Sequence, residues 1–424
     1  MDQAARITET FVPMIVHHGS FNNRNKGRAE IISCEVTPMK LGGDHFTSNT
    51  FFVNVCLKFE EEPPERHYML IKRSPEDVAF STYMDTNVLF HNETLVYTEL
   101  LPVMEEFLKK QGRPSLSMTS QFPKCYYAKS GCGPGKDIVV LEDLSPLGFR
   151  TTEERVFLDY DHCVLALRAL GRFHAVSYGM KSLENSTVQT IIKKIQVQKF
   201  GNASDADTDI FLKKITSRPV EYFARNKDVD QSVVRKLKDK LKNVGQLFGE
   251  LITPKEPLAV VCHGDFCRNN MLFRYEGGKP CEVKFFDLQT VKYASPAIDI
   301  SFFAYLNTSS ELRERHWDNL FKEYHGSMIS NLAEILGCPV QDLMQDYSLE
   351  KFQKDYADHA FYGFLLCSFF LPEMMVEPEE QIDHENSCHK SMGEIGDMYL
   401  KLGGEEITAK VADIINDLVI RGAI

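Results

Sequence analysis

Residues 260–273 read VVCHGDFCRNNMLF and set His263, Asp265, Asn269 and Asn270 between two apolar flanks. Apolar flanks predict burial, and a buried polar group left without a partner costs roughly 1–3 kcal/mol. This cluster therefore needs internal partners or a function. Asp265 alone reads as a turn or cap residue, because Asp favours both positions. Its surroundings change that reading. NMLFRYE and CEVKFFDL, on either side of GGKP, predict the two strands of a hairpin. Asn270 starts the first strand and Asp287 ends the second, and antiparallel pairing brings those ends together. Asp265 then lies beside them on one rim. A carboxylate and an amide oxygen are hard ligands that suit Mg²⁺, which keeps several waters and takes few protein ligands. A separate carboxylate on that rim can orient and deprotonate a hydroxyl. These are the parts of a phosphoryl-transfer site.

Working outward, the residues before the hairpin predict a β-rich segment. In TFFVNVCLKF, Phe51, Val53, Val55, Leu57 and Phe59 alternate with polar neighbours, the period of a half-buried strand. KLGGDHFTSN precedes it as a turn, EEEPPERH follows as a second turn, and YMLIKRS is a short third strand. DTNVLFHNETLVYTELLPVMEEFLKKQ predicts a helix interrupted near Pro102, with Phe90, Glu93, Val96, Tyr97 and Leu100 at helical spacing. KCYYAKSGCGPGKDIVVLEDL predicts two strands around a Gly-rich turn. From about Thr152 the pattern is helical, broken only by the two hairpin strands. The expectation is an α+β, two-lobed fold: a lead-in over 1–28, a β-rich lobe over 29–144 and a helical lobe over 145–424. A cleft between such lobes is a natural ligand site.

Composition narrows the function classes. The 424 residues are 43% hydrophobic and 25% charged, ordinary for a globular protein. With 48 basic and 60 acidic residues the net charge is −12, which argues against general binding to nucleic acid. The start MDQAARITET has none of the features of a secretory signal, and AFYGFLLCSFFL falls well short of the ~20 residues that span a bilayer. Eleven irregularly spaced cysteines without a C-x-x-C pair then predict reduced thiols in the cytoplasm. No membrane, nucleic-acid or protein partner is expected.

His263-Gly264-Asp265 followed by Asn270 resembles the H-x-D-x-x-x-x-N catalytic loop of the protein-kinase-like superfamily, in the His-Gly-Asp form of its small-molecule branch. Together with LEDLSPLGF and LGRFHA, the stretch is most similar to the ecdysteroid kinase-like family. The resemblance runs from roughly Leu41 to His325. It implies an ATP- and Mg²⁺-dependent kinase acting on a small-molecule alcohol. Residue by residue, it implies Asp265 as catalytic base, Asn270 and Asp287 as Mg²⁺ ligands, and Lys72 on the ATP phosphates with Glu93 as its partner. Asp299 would brace the catalytic loop. Gly42, Gly43, Thr47 and Ser48 would fall in the phosphate-covering loop, and Glu142, Asp143 and Leu144 in the adenine-contacting hinge. Two departures stand out: GGDHFTSN lacks G-x-G-x-x-G, and Gln289 replaces the Gly of Asp-Phe-Gly.

Plainer readings stand beside these. Glu93 also reads as a solvated helix residue, Lys72 as an exposed strand end and Asn269 as a turn residue. His263 reads as a packed structural histidine. SGCGPGKD mimics a phosphate loop, but Asp137 stands where Ser or Thr is required, so a hairpin turn is the better reading. HENSCHK offers His384, Cys388 and His389 without the second half that a zinc site needs. Only LQTVKYASPAI separates Asp287 from Asp299, too little for the peptide-docking segment of a protein kinase. A small acceptor is therefore expected; the aromatic content of the helical lobe suits a hydrophobic alcohol, and the resemblance implies an ecdysteroid or a xenobiotic. A choline or ethanolamine kinase and a non-catalytic small-molecule binder on the same scaffold are the alternatives.

Overall fold

Alternation along one strand organises the first lobe. In the computed structural model, which describes residues 3–18, 21, 29–39, 48–60, 62–198 and 205–424, strands β1 (Glu30–Pro38), β2 (Asn49–Lys58), β3 (Glu65–Arg73), β4 (Cys125–Lys129) and β5 (Ile138–Glu142) form one antiparallel sheet. Its order is β1-β2-β3-β5-β4. Phe51, Val53, Val55 and Leu57 of β2 are buried on one face with Met69, Ile71 and Val140. Ile7, Phe11 and Ile15, from the helical residues 3–17, cover that face, so the start of the chain is part of this core. The intervening residues Thr50, Phe52, Leu70 and Lys72 look the other way and line a cavity. This is the period of two at work.

The helix expected to break near Pro102 runs through it. Thr86–Leu95 passes into a wider π turn at Val96–Leu100 and continues as Leu101–Lys110. Proline lacks an N–H and its ring crowds the carbonyl four residues back, and the wide turn absorbs both defects. SGCGPGKD is the turn between β4 and β5, where the Asp137 carboxylate accepts the Cys132 N–H at 2.7 Å.

The second part is mainly helical. Tyr160–Leu183 packs along Ser310–Leu336. A Cβ at Gly171 would lie 2.5 Å from the Tyr324 carbonyl oxygen, so only glycine permits that crossing. Phe361–Met375 is buried almost all round, and among the described residues no helix is long and apolar enough to cross a membrane. All eleven cysteines are free. Strands β7 (Met271–Glu276) and β8 (Lys279–Phe285) form the expected hairpin, with Met271 opposite Phe285. Two strands were not anticipated: β6 (Val260–Cys262) and β9 (Lys292–Ala294), which pair antiparallel. Three residues are too few to display a period.

Candidate active site

The loop after β6 is fixed from below. Asp299, in the first turn of the Ala297–Asn307 helix, accepts the backbone N–H of His263 at 2.7 Å and of Gly264 at 2.8 Å. Its carboxylate also meets His174 Nε2 at 3.2 Å, and His174 Nδ1 lies 2.9 Å from the Tyr324 hydroxyl. Burial works to raise the pKa of Asp299, but His174 and the Gly264 N–H outweigh it and hold the group below its ordinary value. Cys262 approaches the same cluster, and the geometry of His174, Cys262 and Asp299 would admit a metal ion. Both Asp299 oxygens are already spent on the loop, so we read the cluster as a structural brace. His263 points into the protein, with Nε2 3.0 Å from the Phe286 carbonyl. A carbonyl can only accept, so Nε2 donates, and burial pushes the pKa of this ring down. Gly264 has φ +86°, and a Cβ there would fall 1.9 Å from the Thr290 carbonyl oxygen.

This bracing presents Asp265 and Asn270 together. The Asn270 Nδ2 group donates to the Asp265 carbonyl and to its Oδ2, both at 2.9 Å. Burial, reinforced by Asp287, pushes the Asp265 carboxyl up to about 6. Asn270 sits in a short turn, Arg268–Asn270, just before β7, and its carbonyl accepts the Phe286 N–H at 3.1 Å. The end of β8 is thereby tied to the start of β7, and Asp287 follows immediately. Asp287 is one of two described non-glycine residues with positive φ, at 63°. Asp tolerates that region better than most residues, and such conformations gather at functional sites.

Lys72 joins the two lobes. From β3 its ammonium reaches Asp287 Oδ1 at 2.6 Å and Glu93 Oε2 at 2.8 Å. Burial alone would lower its pKa, but the two carboxylates outweigh burial and raise it. Glu93 is buried on the inner face of the Thr86–Leu95 helix, and burial pushes its carboxyl up against the pull of Lys72. Neither the exposed-strand nor the solvated-helix reading holds for these two side chains. Gln289 Oε1 lies 3.4 Å from the same ammonium.

Two cavities meet at this junction. One, of about 580 Å³, lies under the sheet and is lined by Phe52, Leu70, Lys72 and the segment Glu142, Asp143 and Leu144. The other, of about 570 Å³, lies in the helical part and is lined by Asp265, Asn270 and aromatic side chains including Phe248, Phe302, Tyr362 and Phe370. Ser48, Asn269 and Asp287 line both. Gly42, Gly43 and Thr47 lie outside the described residues, whereas Ser48 is buried with its hydroxyl 3.3 Å from that of Thr50. Asn269, which the sequence also allowed as a simple turn residue, lines both cavities, and its Oδ1 is buried with no hydrogen-bond partner among the described residues. That orphaned oxygen, the Asp287 carboxylate and the Asn270 amide oxygen make a hard donor set that fits Mg²⁺. Sequence reasoning placed Asn269 in the polar cluster without a site role and did not anticipate Phe248 or Phe302 at the cavity wall.

A sheet lysine bound to a helix glutamate, facing an Asp–Asn pair and a hairpin aspartate, places the chain among small-molecule kinases of the protein-kinase-like fold. It belongs to the ecdysteroid kinase-like family, whose model matches residues 42–337. Among solved structures, a Plasmodium vivax ethanolamine kinase is similar at 15% identity and a TM-score of 0.38, over 91% of this chain and 84% of that one. A GDP complex of aminoglycoside 2'-phosphotransferase-IIIa is similar at 11% identity and a TM-score of 0.39, over 95% and 99%. No curated protein matches significantly.

Proposed function

We propose that this chain transfers the γ-phosphoryl group of ATP to a hydroxyl of a hydrophobic alcohol, an ecdysteroid or a xenobiotic, in the cytoplasm. The observation that carries this reading is the meeting of a sheet-side and a helix-side cavity at Asp287 and Asn269, with Asp265 on the helix side. ATP lies in the sheet-side cavity with its base toward Glu142, Asp143 and Leu144 and its phosphates toward Lys72. Glu93 holds Lys72 in place. Asp287 and Asn270, with Asn269 beside them, would hold Mg²⁺, which neutralises phosphate charge when bound. The alcohol enters the helix-side cavity against Phe302, Tyr362 and Phe370. Asp265 orients its hydroxyl and takes the proton as the new P–O bond forms and the bond to the β-phosphate oxygen breaks, releasing ADP. Asp299 acts through the backbone, keeping Asp265 in position. Catalysis is then mostly positioning and charge neutralisation.

The test is incubation of the protein with Mg·ATP and a panel of sterols, phenols and amino alcohols, followed by detection of phosphate esters. Amino alcohols belong in the panel because the buried carboxylate of Glu373 also lines the helix-side cavity. A phosphorylated sterol or phenol, lost in Asp265→Asn, is the expected result. Phosphorylation of amino alcohols alone would replace the acceptor, and Mg·ATP binding without any transfer would favour a non-catalytic binder.

A further inference from the structure

Lys292 carries a charge that the mechanism above does not use. It sits in β9 directly opposite Cys262, and Cys262 immediately precedes the His263-Gly264-Asp265 loop. Strand register therefore fixes its backbone relative to Asp265. Among the described residues it is the one Lys or Arg lining the helix-side cavity. Its ammonium donates to the Tyr362 hydroxyl at 3.1 Å and lies 5.5 Å from the centre of that ring. Tyr362 is itself held by stacking on Phe248, with ring centres 5.5 Å apart. Among the described residues no carboxylate forms an ion pair with Lys292 within 4 Å, although Asp299 and Asp265 interact with its charge from farther off.

An ammonium in a largely apolar cavity is a ready anchor for an anion, because a water-poor lining strengthens charge pairing. On the sheet side, Lys72 already faces two carboxylates. The phosphoryl group that crosses to the acceptor leaves that lysine behind and carries its negative charge into the helix-side cavity. A cation on that side offsets this charge. We propose that Lys292 Nζ, presented together with the Tyr362 hydroxyl, is the acceptor-side phosphoryl ligand, contacting the group during transfer and the phosphate monoester that results. The inference rests on the kinase reading of this site.

Calorimetric titration of inorganic phosphate into the full chain saturated with Mg·ADP tests it, because phosphate stands in for the transferred group. Lys292→Met is expected to weaken phosphate by about 10- to 100-fold, the loss of one charge-assisted hydrogen bond, with Mg·ADP affinity unchanged. Lys292→Arg is expected to recover much of the loss. Tyr362→Phe, which removes only a hydroxyl, serves if Lys292→Met does not fold, and is expected to weaken phosphate by a few fold. Failure of the wild type to bind Mg·ADP would overturn the kinase reading and this inference with it. Normal Mg·ADP binding with phosphate affinity absent in the wild type, or equal in wild type and variants, would overturn the inference alone.

Discussion

Asp299→Asn is the sharpest perturbation of the loop that presents Asp265. The two side chains have nearly the same shape, so the change is electrostatic. Asp299 accepts from His263 N–H at 2.7 Å and Gly264 N–H at 2.8 Å, using one oxygen for each, and His174 adds a third contact at 3.2 Å. An amide offers one oxygen, so its NH₂ must face one of these donors. A hydrogen bond to a charged group is worth about 1.5–3 kcal/mol, and unpairing a buried charged contact costs about 3–5 kcal/mol. We expect Asp299→Asn to lower stability by about 3–5 kcal/mol in urea unfolding, without a change in the denaturant slope. Displacement of Asp265 by even 1 Å would also cost about 10²-fold in turnover. The pH dependence has a definite sign. Because the folded-state pKa of Asp299 is lowered, its contribution is complete above the unfolded value of about 3.9 and fades as pH falls below it. The gap between wild type and variant should therefore close in acid. A loss under about 1 kcal/mol at neutral pH, with unchanged turnover, would refute the bracing argument.

Other perturbations separate stability from function. Gly264→Ala combines a left-handed backbone, costing about 1–2 kcal/mol, with overpacking against Thr290 of about 1–3 kcal/mol. Its urea midpoint should fall accordingly, and an unchanged midpoint would mean that the loop relaxes freely. Glu93→Gln breaks the Lys72 ion pair at a cost of up to about 3–5 kcal/mol. No change in urea unfolding would show that Asp287 alone holds Lys72. Leu366→Trp, on the wall of the helix-side cavity, should raise the KM of a bulky acceptor at least about tenfold and leave Mg·ATP affinity alone. Equal losses for both ligands would place the acceptor elsewhere.

The parts of this architecture that were legible in the sequence are those with a period or a turn signal. The β2 alternation, the GGKP hairpin and the buried Phe361–Met375 helix each carry their own pattern. The α+β fold and the family followed from them and from the His-Gly-Asp stretch. β6 and β9 were hidden because three-residue strands have no period, yet they set the register of Lys292 against Cys262. Residues 3–17 gave no hint of their role in covering the sheet, since an amphipathic helix does not announce its partner. Lys72 and Asp287 are distant in sequence, and their 2.6 Å contact exists only because the lobes meet. Backbone conformation is likewise silent in a sequence, so the positive φ of Asp287 could not be foreseen. Among the aromatic residues of the helical lobe, Tyr362 and Phe370 line the helix-side cavity, while Phe173 and Tyr178 are core. Composition does not distinguish the two groups.

The claim on which the rest depends is that Asp287 and Asp265 serve one nucleotide with different duties. Calorimetric titration of ATP, with and without Mg²⁺, into wild type, Asp287→Ala and Asp265→Asn addresses it directly. The account predicts Mg²⁺-dependent binding in the wild type, its loss in Asp287→Ala, and near-wild-type affinity in Asp265→Asn. Unchanged Mg·ATP affinity in Asp287→Ala would contradict it.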